Sequence, residues 1–382
     1  MKTHQIVIEN KDFDRELLSG LSTIDPQLIL VFCSVEFIND TPLLDSLKSL
    51  HPDSVIAGCS TAGEITSEGV SEQSAVITGV HFDKDVQMKV AEAEVTAMQD
   101  SEAAGIQLGQ SLKGFSPNAV LLFGKGLEIN GSAVIEGLIS ELGTSVPITG
   151  GLAGDNGAFQ ETFSIGPSGH SNNGLVAIAL QGENLLIGHG SYGGWAPFGP
   201  VRKVTRCEAN VLYELDGAPA LQIYKDYLGE YADQLPSSGL LFPFEMLAED
   251  ESQLGLIRTI LGIDEEQGSL ILAGAIDPNG YLRLMHASSN SLADGAEEAA
   301  KLTLSHLPQA IDNSLAILVS CVGRKLVMGD QVEDEVDAVV DTLGSDCTAA
   351  GFYSYGEIAP FSTTTDCKLH NQTMTVTLIG EK

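Results

Sequence analysis

Basic residues are scarce in this chain. Against 52 aspartates and glutamates stand only 19 lysines and arginines, which leaves a formal net charge of −33 over 382 residues. A field of that sign repels phosphate polymers and anionic lipid surfaces, which argues against a role on nucleic acid. The acidity reads as a solvating surface or as a docking face for a basic partner. Long apolar runs are missing too, and none approaches the ~18–20 residues that a membrane helix needs. The opening MKTHQIVIENKDFDRELL lacks the charged start and apolar stretch of a secretory signal. The expected location is the cytoplasm, without membrane insertion. The six cysteines form no CxxC pair and no zinc-finger spacing, and are expected as buried free thiols. No glycine loop continues into Gly-Lys-Ser/Thr, and no GxGxxG opens a helix after a strand. A nucleotide-phosphate loop and a dinucleotide fold are therefore unsupported.

What the chain does have is 43% apolar residues, enough for sizeable cores, and a length that suits two domains of roughly 100–200 residues. Three segments share one layout. The first runs LILVFCS (Leu28–Ser34), TPLLDSLKSL (Thr41–Leu50), VIAGCSTAGEI (Val55–Ile65). The second runs AVLLFGKG (Ala119–Gly126), GSAVIEGLISELG (Gly131–Gly143), VPITGGLAGD (Val146–Asp155). The third runs LAILVSC (Leu315–Cys321), DQVEDEVDAVVDTLG (Asp330–Gly344), AAGFYSYGEIAP (Ala349–Pro360). Each starts as a continuous Val/Ile/Leu run, the pattern of a strand covered on both faces. Each continues as an amphipathic helix, with Asp330 as an expected cap and Gly344 as a stop in the third, and Thr41–Pro42 as the start in the first. Each ends in a strand that enters a glycine turn. The first and last turns match closely: Gly58, Gly63, Glu64 and Ile65 against Gly351, Gly356, Glu357 and Ile358.

These patterns predict an α/β protein of two related halves, residues 1–220 and 221–382, with layered mixed β-sheets flanked by helices. Between the second and third segments lies a turn- and aromatic-rich stretch starting at Gly188–Thr205. In it, Leu272–Ser288 reads as a hairpin turning at Asp277–Gly280. SLADGAEEAAKLTLSHL reads as a further helix.

The glycine turns are the first candidate site. Their main-chain N–H groups suit an anion. Gly58, Ser60, Gly63, Gly151, Asp155 and Gly356 would shape a pocket, Glu64 and Glu357 would hold an ammonium group, and Tyr353 and Tyr355 would line it. The plainer reading of both glutamates is a hydrogen bond to nearby main chain. An enzyme reading uses Ser60, because Val55–Ala62 runs strand-Gly-x-Ser-x-Ala, near a hydrolase nucleophile elbow. The glycine- and β-branched-rich AGEITSEGVSEQ that follows is a poor match for the helix an elbow requires.

Several longer stretches resemble a known family: IAGCSTAGEI, GGLAGDNGAF, GGWAPFGP…VTRCEANVLYELDGAPALQIY, GLIRTILGID, and CVGRKLVMGD…EDEVDAVVDTLG…AGFYSYGEIAP. Their content and order are similar to the FIST-domain family, a FIST N-terminal half followed by a FIST C-terminal half, from about residue 27 onward. The resemblance implies a bacterial sensor of small ligands, amino-acid-like compounds among them, rather than an enzyme. The GGWAPFGP and LGEYADQLPSSGLLFP stretches are similar to the free-standing, NosP-type members. That subset implies haem b, nitric oxide as the sensed gas, and a partner histidine kinase in a two-component system. A haem iron would need a neutral imidazole. His189 among glycines near Trp195, His370 in LHNQTMTV, and His286 at the end of YLRLMHAS are the candidates. Arg202, with Lys203 and Arg206, would meet the propionates. His4, His51, His81, His170 and His306 are set aside as terminal, loop, strand-edge or helix-end residues. A pure interaction scaffold is the third class, since FIST halves also occur in eukaryotic ubiquitin-pathway proteins.

Overall fold

The computed structural model describes residues 1–361 and 366–382. The continuous apolar runs become strands with no exposed face: every residue of Leu28–Cys33, Ala119–Gly124 and Ser314–Cys321 is buried. Each pairs in parallel with the strand that follows its helix, Val55–Ser60, Ile148–Leu152 and Cys347–Ser354 respectively. Parallel neighbours need a crossover. The helices Leu43–Leu50, Gly131–Leu142 and Glu333–Leu343 supply it.

Three six-stranded sheets result, and their strand orders are equivalent. An outer strand (Lys2–Ile8, Gln87–Glu94 or Leu185–Tyr192) pairs with the unit's last strand (Ala75–His81, Gly174–Gln181 or Met374–Glu381), followed by the central strand and its parallel partner. The last two positions belong to a hairpin from another unit. Glu64–Thr66 with Gly69–Ser71 leaves the first unit and completes the third sheet. Ser164–Gly166 with Gly169–Ser171 leaves the second and completes the first. Gly356–Pro360 with Cys367–His370 leaves the third and completes the second. The exchange is cyclic, so no unit closes its own sheet. The glycine turns are where the chain departs.

The sheets face a common core. At its centre Phe32, Phe123 and Phe352 pack ring against ring, with centroids 5.6, 4.8 and 6.3 Å apart. The first two units place the ring on the central strand, opposite the small Cys59 and Gly151. The third reverses the arrangement, with Val319 opposite Phe352. Volume is conserved around the centre although the residues are not.

The mixed α/β architecture with flanking helices is as expected, and the structure counts its repeats as three sheets. The expectation of two halves comes from the two matching turns. Strand pairing makes the second segment an equal member, because its dissimilar turn hands over a hairpin in the same way. Between Tyr192 and the helix Ser289–Ser305 the chain builds a separate nine-stranded body. Residues 220 and 221 open the helix Ala220–Leu228, which packs into the core of that body. The turn at Asp277–Gly280 exists, with Gly280 N donating to Asp277 O at 3.2 Å. It does not join a hairpin: the strands Arg202–Glu208 and Val211–Leu215 lie between Ser269–Leu272 and Tyr281–His286. Two helix starts also shift. Asp330 lies in a 3₁₀ turn, Val332 holds the cap position and the helix begins at Glu333. Pro42 holds the cap position of Leu43–Leu50, with Thr41 Oγ1 accepting from Leu43 N at 3.2 Å. All six cysteines are free, four of them buried and Cys207 and Cys347 partly so. Among the described residues no helix is long and apolar enough to cross a membrane.

Candidate functional site

The three turns interlock at the C-terminal ends of the parallel strands. Ala62 N donates to Tyr353 O at 2.8 Å, Tyr353 N to Gly63 O at 2.8 Å, Gly154 N to Ser60 O at 2.9 Å and Asn156 N to Thr61 O at 3.2 Å. Lys325 ties the same pole from the third unit, with Nζ 2.7 Å from Ala62 O, 3.1 Å from Asn156 Oδ1 and 2.6 Å from Glu72. Ser60, Gly63, Glu64, Asp155, Tyr353 and Tyr355 thus come together here, and Gly356 and Glu357 join through their pairing with Leu152 and Gly151.

Most of these groups are occupied by one another. Glu64 accepts from Thr61 Oγ1 and from Ser74 N and Oγ at 3.2 and 2.6 Å. Glu357 repeats the arrangement, accepting from Ser354 Oγ at 2.9 Å and from Thr373 N and Oγ1 at 3.1 and 3.0 Å. Each carboxyl pins the start of an exchanged hairpin to the strand that returns from it. Asp155 accepts from the main-chain N–H of Phe159, Gln160 and Glu161 at 2.9, 2.6 and 3.0 Å, and from the Tyr355 hydroxyl. Tyr353 donates to Glu335 at 2.7 Å. Ser60 Oγ donates to Gly154 O at 2.8 Å and accepts from Phe163 N at 2.9 Å. Its proton therefore goes to a carbonyl rather than to a base, and a short strand, Glu64–Thr66, follows where an elbow needs a helix. The void beside Glu64 and Asp155 is about 30 Å³, room for a water and not for an amino acid.

Burial outweighs these donors and pushes the Glu64 carboxyl up to about 7 and that of Glu357 up to about 8. Both carboxyls keep a proton in the folded state over a range where the unfolded chain, titrating near ~4.3, has lost it. Their contribution is full below that value and is lost as pH rises through 7 and 8. His189 and His370, pulled down to about 4 mainly by burial, act in the opposite sense. Their effect ends near ~6.5, the unfolded value. Stability is therefore expected to fall between about pH 6.5 and 8.5 by on the order of 1 kcal/mol per unit. Urea unfolding across that range should show a shallower fall in the Glu64→Gln/Glu357→Gln double variant. Parallel slopes would show that these carboxyls are not the cause.

A part-open space lies to one side of the pole, beside the nine-stranded body. A cavity of about 140 Å³ is walled by Gly126–Asn130, Phe159 and Tyr355 from the pole, Cys321, Val322 and Asn371 from the third unit and its hairpin, and Asn210, Leu240, Thr259, Leu261 and Leu272–Ala275 from the body. Phe159 and Tyr355 stack at 4.5 Å with planes 14° apart and form one wall. Asp155 holds both in place, since it binds Phe159 N and the Tyr355 hydroxyl. Asn371 is 1% and Thr259 2% exposed, and Oδ1 of the one and Oγ1 of the other have no partner. A buried polar atom without a partner is costly and rare, and often marks a site completed by something else. Phe159 and Leu261, 42% and 48% exposed, form the mouth and continue into an outer groove with Leu240 and Leu326.

The residues expected to hold haem do not surround one opening. His189, on the outer strand of the third sheet, stacks on His306 at 4.6 Å, and its buried Nδ1 lacks a partner. His370 lies in the second sheet with Nε2 3.0 Å from Ala359 O. His286 is exposed, edge-on to Phe198. Trp195 donates to Gln372 O at 2.8 Å. Arg202 is held by Asp216 at 2.9 Å and Tyr227 at 2.7 Å, and Arg206 by Glu214 at 3.0 Å. None of them lines the cavity, which is close in volume to an engineered ~150 Å³ cavity that takes benzene. Of the residues set aside, His306 covers His189, and His51 is buried with Nε2 3.3 Å from Leu18 O.

Sequence reasoning missed Thr259, Asn371 and Phe159. The signal was at hand, because GLIRTILGID, LHNQTMTV and GGLAGDNGAF contain or end beside them. Comparison with known proteins adds the following. The FIST N domain model matches residues 27–218 and the FIST C domain model residues 220–360. An uncharacterized protein of Methanocaldococcus jannaschii is 26% identical over 207 residues, which is 50% of this chain and 38% of that protein. The chain thus spans well under half the length of this curated relative. A solved structure, cyanuric acid hydrolase from A. caulinodans, aligns over 100% of this chain and 99% of its own at 8% identity and a TM-score of 0.37, too remote to bear on function.

Proposed function

Because the chain belongs to the FIST family, a FIST N domain followed by a FIST C domain, we propose that it is a sensor whose small ligand sits in the cavity between the pole and the nine-stranded body. FIST domains are sensory domains that bind small ligands in signalling. One observation carries the choice of site: a largely apolar lining includes Asn371 and Thr259, whose Oδ1 and Oγ1 are buried without a partner. Small-molecule sites combine an apolar lining with a few placed polar groups and favour interfaces between bodies.

A ligand there touches the pole through Phe159 and Tyr355 and the body through Leu240, Leu261 and Leu272. It therefore favours the arrangement in which the two are closed together, and shifts the population toward it. The outer groove shares Phe159, Leu240 and Leu261 with the cavity, so a partner seated outside would feel that shift. A cytoplasmic histidine kinase or related signalling protein is the proposed recipient, and the net charge of −33 suits a partner with a basic face.

A haem-based nitric oxide sensor is the finer reading carried by the resemblance. The unpaired Nδ1 of His189 is the feature that favours it, although haem would have to open the His189–His306 stack. Thermal shift with a small-metabolite fraction decides for the cavity. Ligand at about 100 times its Kd should add about 2.7 kcal/mol of stability to the wild type, and the cavity-filling Ala273→Phe variant should show none. Equal shifts in both proteins would move the site elsewhere. A sharp Soret band on adding haem, lost in His189→Ala, would establish the haem reading instead.

A further inference from the structure

The charge pattern of the cavity narrows its ligand. Among the described residues Glu128 is the only charged side chain in the lining, and it is exposed. The inner wall is Leu127, Ile129, Leu272, Ala273 and Val322 with the stacked Phe159–Tyr355 pair. The buried cation behind this wall is Arg258, whose guanidinium Nε lies 2.8 Å from where a Cβ on Gly274 would sit. Its Nε donates to Ala275 O at 3.1 Å, and Nη1 donates to Ile257 O at 3.1 Å and Leu369 O at 3.2 Å. Arg258 is not among the residues that line the cavity. A ligand carboxylate would lose its hydration inside and find no cation in the lining, and an ammonium group would find only the exposed Glu128; burying an unpaired charge is prohibitive. A single planar ring matches both the stacked wall and the volume of about 140 Å³. Asn371 and Thr259 both line the cavity, and a polar head on that ring would uncover and complete Asn371 Oδ1, which is buried without a partner as Thr259 Oγ1 is.

We propose that the ligand is an uncharged, ring-sized molecule that presents one N–H or O–H donor to Asn371, and not a zwitterionic amino acid. This rests on the cavity being the sensor site. The test uses calorimetric titration of the full chain with indole and phenol, and with L-tryptophan and benzoate as charged counterparts of the same ring size. Indole or phenol should bind, L-tryptophan and benzoate at least about 100-fold more weakly. Asn371→Leu should weaken the neutral probes about tenfold, the worth of one buried hydrogen bond. Ala273→Phe should abolish binding. Thr259→Val, a milder change, keeps the comparison open if Asn371→Leu fails to fold.

The outcomes separate the two levels of the reading. If benzoate or L-tryptophan binds as tightly as the neutral probes, and Ala273→Phe abolishes it, the cavity is the site and the neutral-ligand proposal is wrong. Arg258 would then be the group to examine. If indole and phenol fail to bind at millimolar concentration, the proposal falls. Should they bind equally well to Ala273→Phe, the assignment of the cavity itself falls with it.

Discussion

Replacing Arg324 with alanine is expected to lower stability by about 3–5 kcal/mol. Arg324 and Glu335 are both fully buried, 0% exposed, and their closest approach is 2.6 Å. Removing the cation leaves a carboxylate in the interior with, among the described residues, Ser320 Oγ at 2.9 Å and Tyr353 Oη at 2.7 Å to stabilise it. The same guanidinium donates to Gly193 O, where the chain enters the nine-stranded body, and to Leu292 O at 2.8 Å, just after the chain returns. One side chain therefore clasps both ends of the inserted body to the third unit. The double variant Arg324→Met/Glu335→Leu should lose less than Arg324→Ala, because it leaves no unpaired charge. Chemical denaturation of the three proteins measures this. A cost under about 1 kcal/mol for Arg324→Ala would mean that water reaches the pair in solution.

Gly351→Ala should cost about 3 kcal/mol or more. A Cβ there would lie 1.9 Å from the Leu318 carbonyl oxygen and 2.7 Å from its carbon. Those atoms belong to the parallel neighbour, which cannot retreat without opening the sheet between Ser314–Cys321 and Cys347–Ser354. The equivalent clash recurs at Gly58, 1.9 Å from Val31 O, and at Gly150, 2.1 Å from Leu122 O. Each unit thus needs a glycine at the same place for the same reason. Gly114→Ala is the control: its φ is +83° with nothing within 4 Å, so only conformational cost remains, about 1–2 kcal/mol. Equal losses at Gly351 and Gly114, measured by urea titration, would remove the steric account.

Gly58 and Gly351 were visible in the sequence as matching turn glycines, but the reason for them was not. A turn glycine is expected for its backbone freedom. These two sit within strands, where close approach of a neighbouring strand excludes a side chain, and only Gly58, at φ +153°, needs the backbone freedom as well. The same division runs through the candidate site. Glu64 and Glu357 stand out as matching acids in matching turns. Only the fold shows that Ser74 and Thr373, from the returning strands, use up their oxygens.

What the sequence by itself determined is local. Continuous apolar runs specify strands with two covered faces, 3.6-residue periodicity specifies the helices between them, and long ordered motifs identify the family. These signals lie within a few residues of one another along the chain. The tertiary structure decided what depends on contacts between distant segments. It decided that there are three sheets built by cyclic exchange of hairpins, because pairing between Glu64–Thr66 and Cys347–Ser354 spans about three-quarters of the chain. It decided that His189 lies against His306 rather than beside a ligand-sized space. And it placed Thr259, Asn371 and the Phe159–Tyr355 stack around one cavity. The physical reason is that a side chain's partners are set by packing in three dimensions, and a lone threonine or asparagine carries no mark in the sequence of the hydrogen bond it will lack.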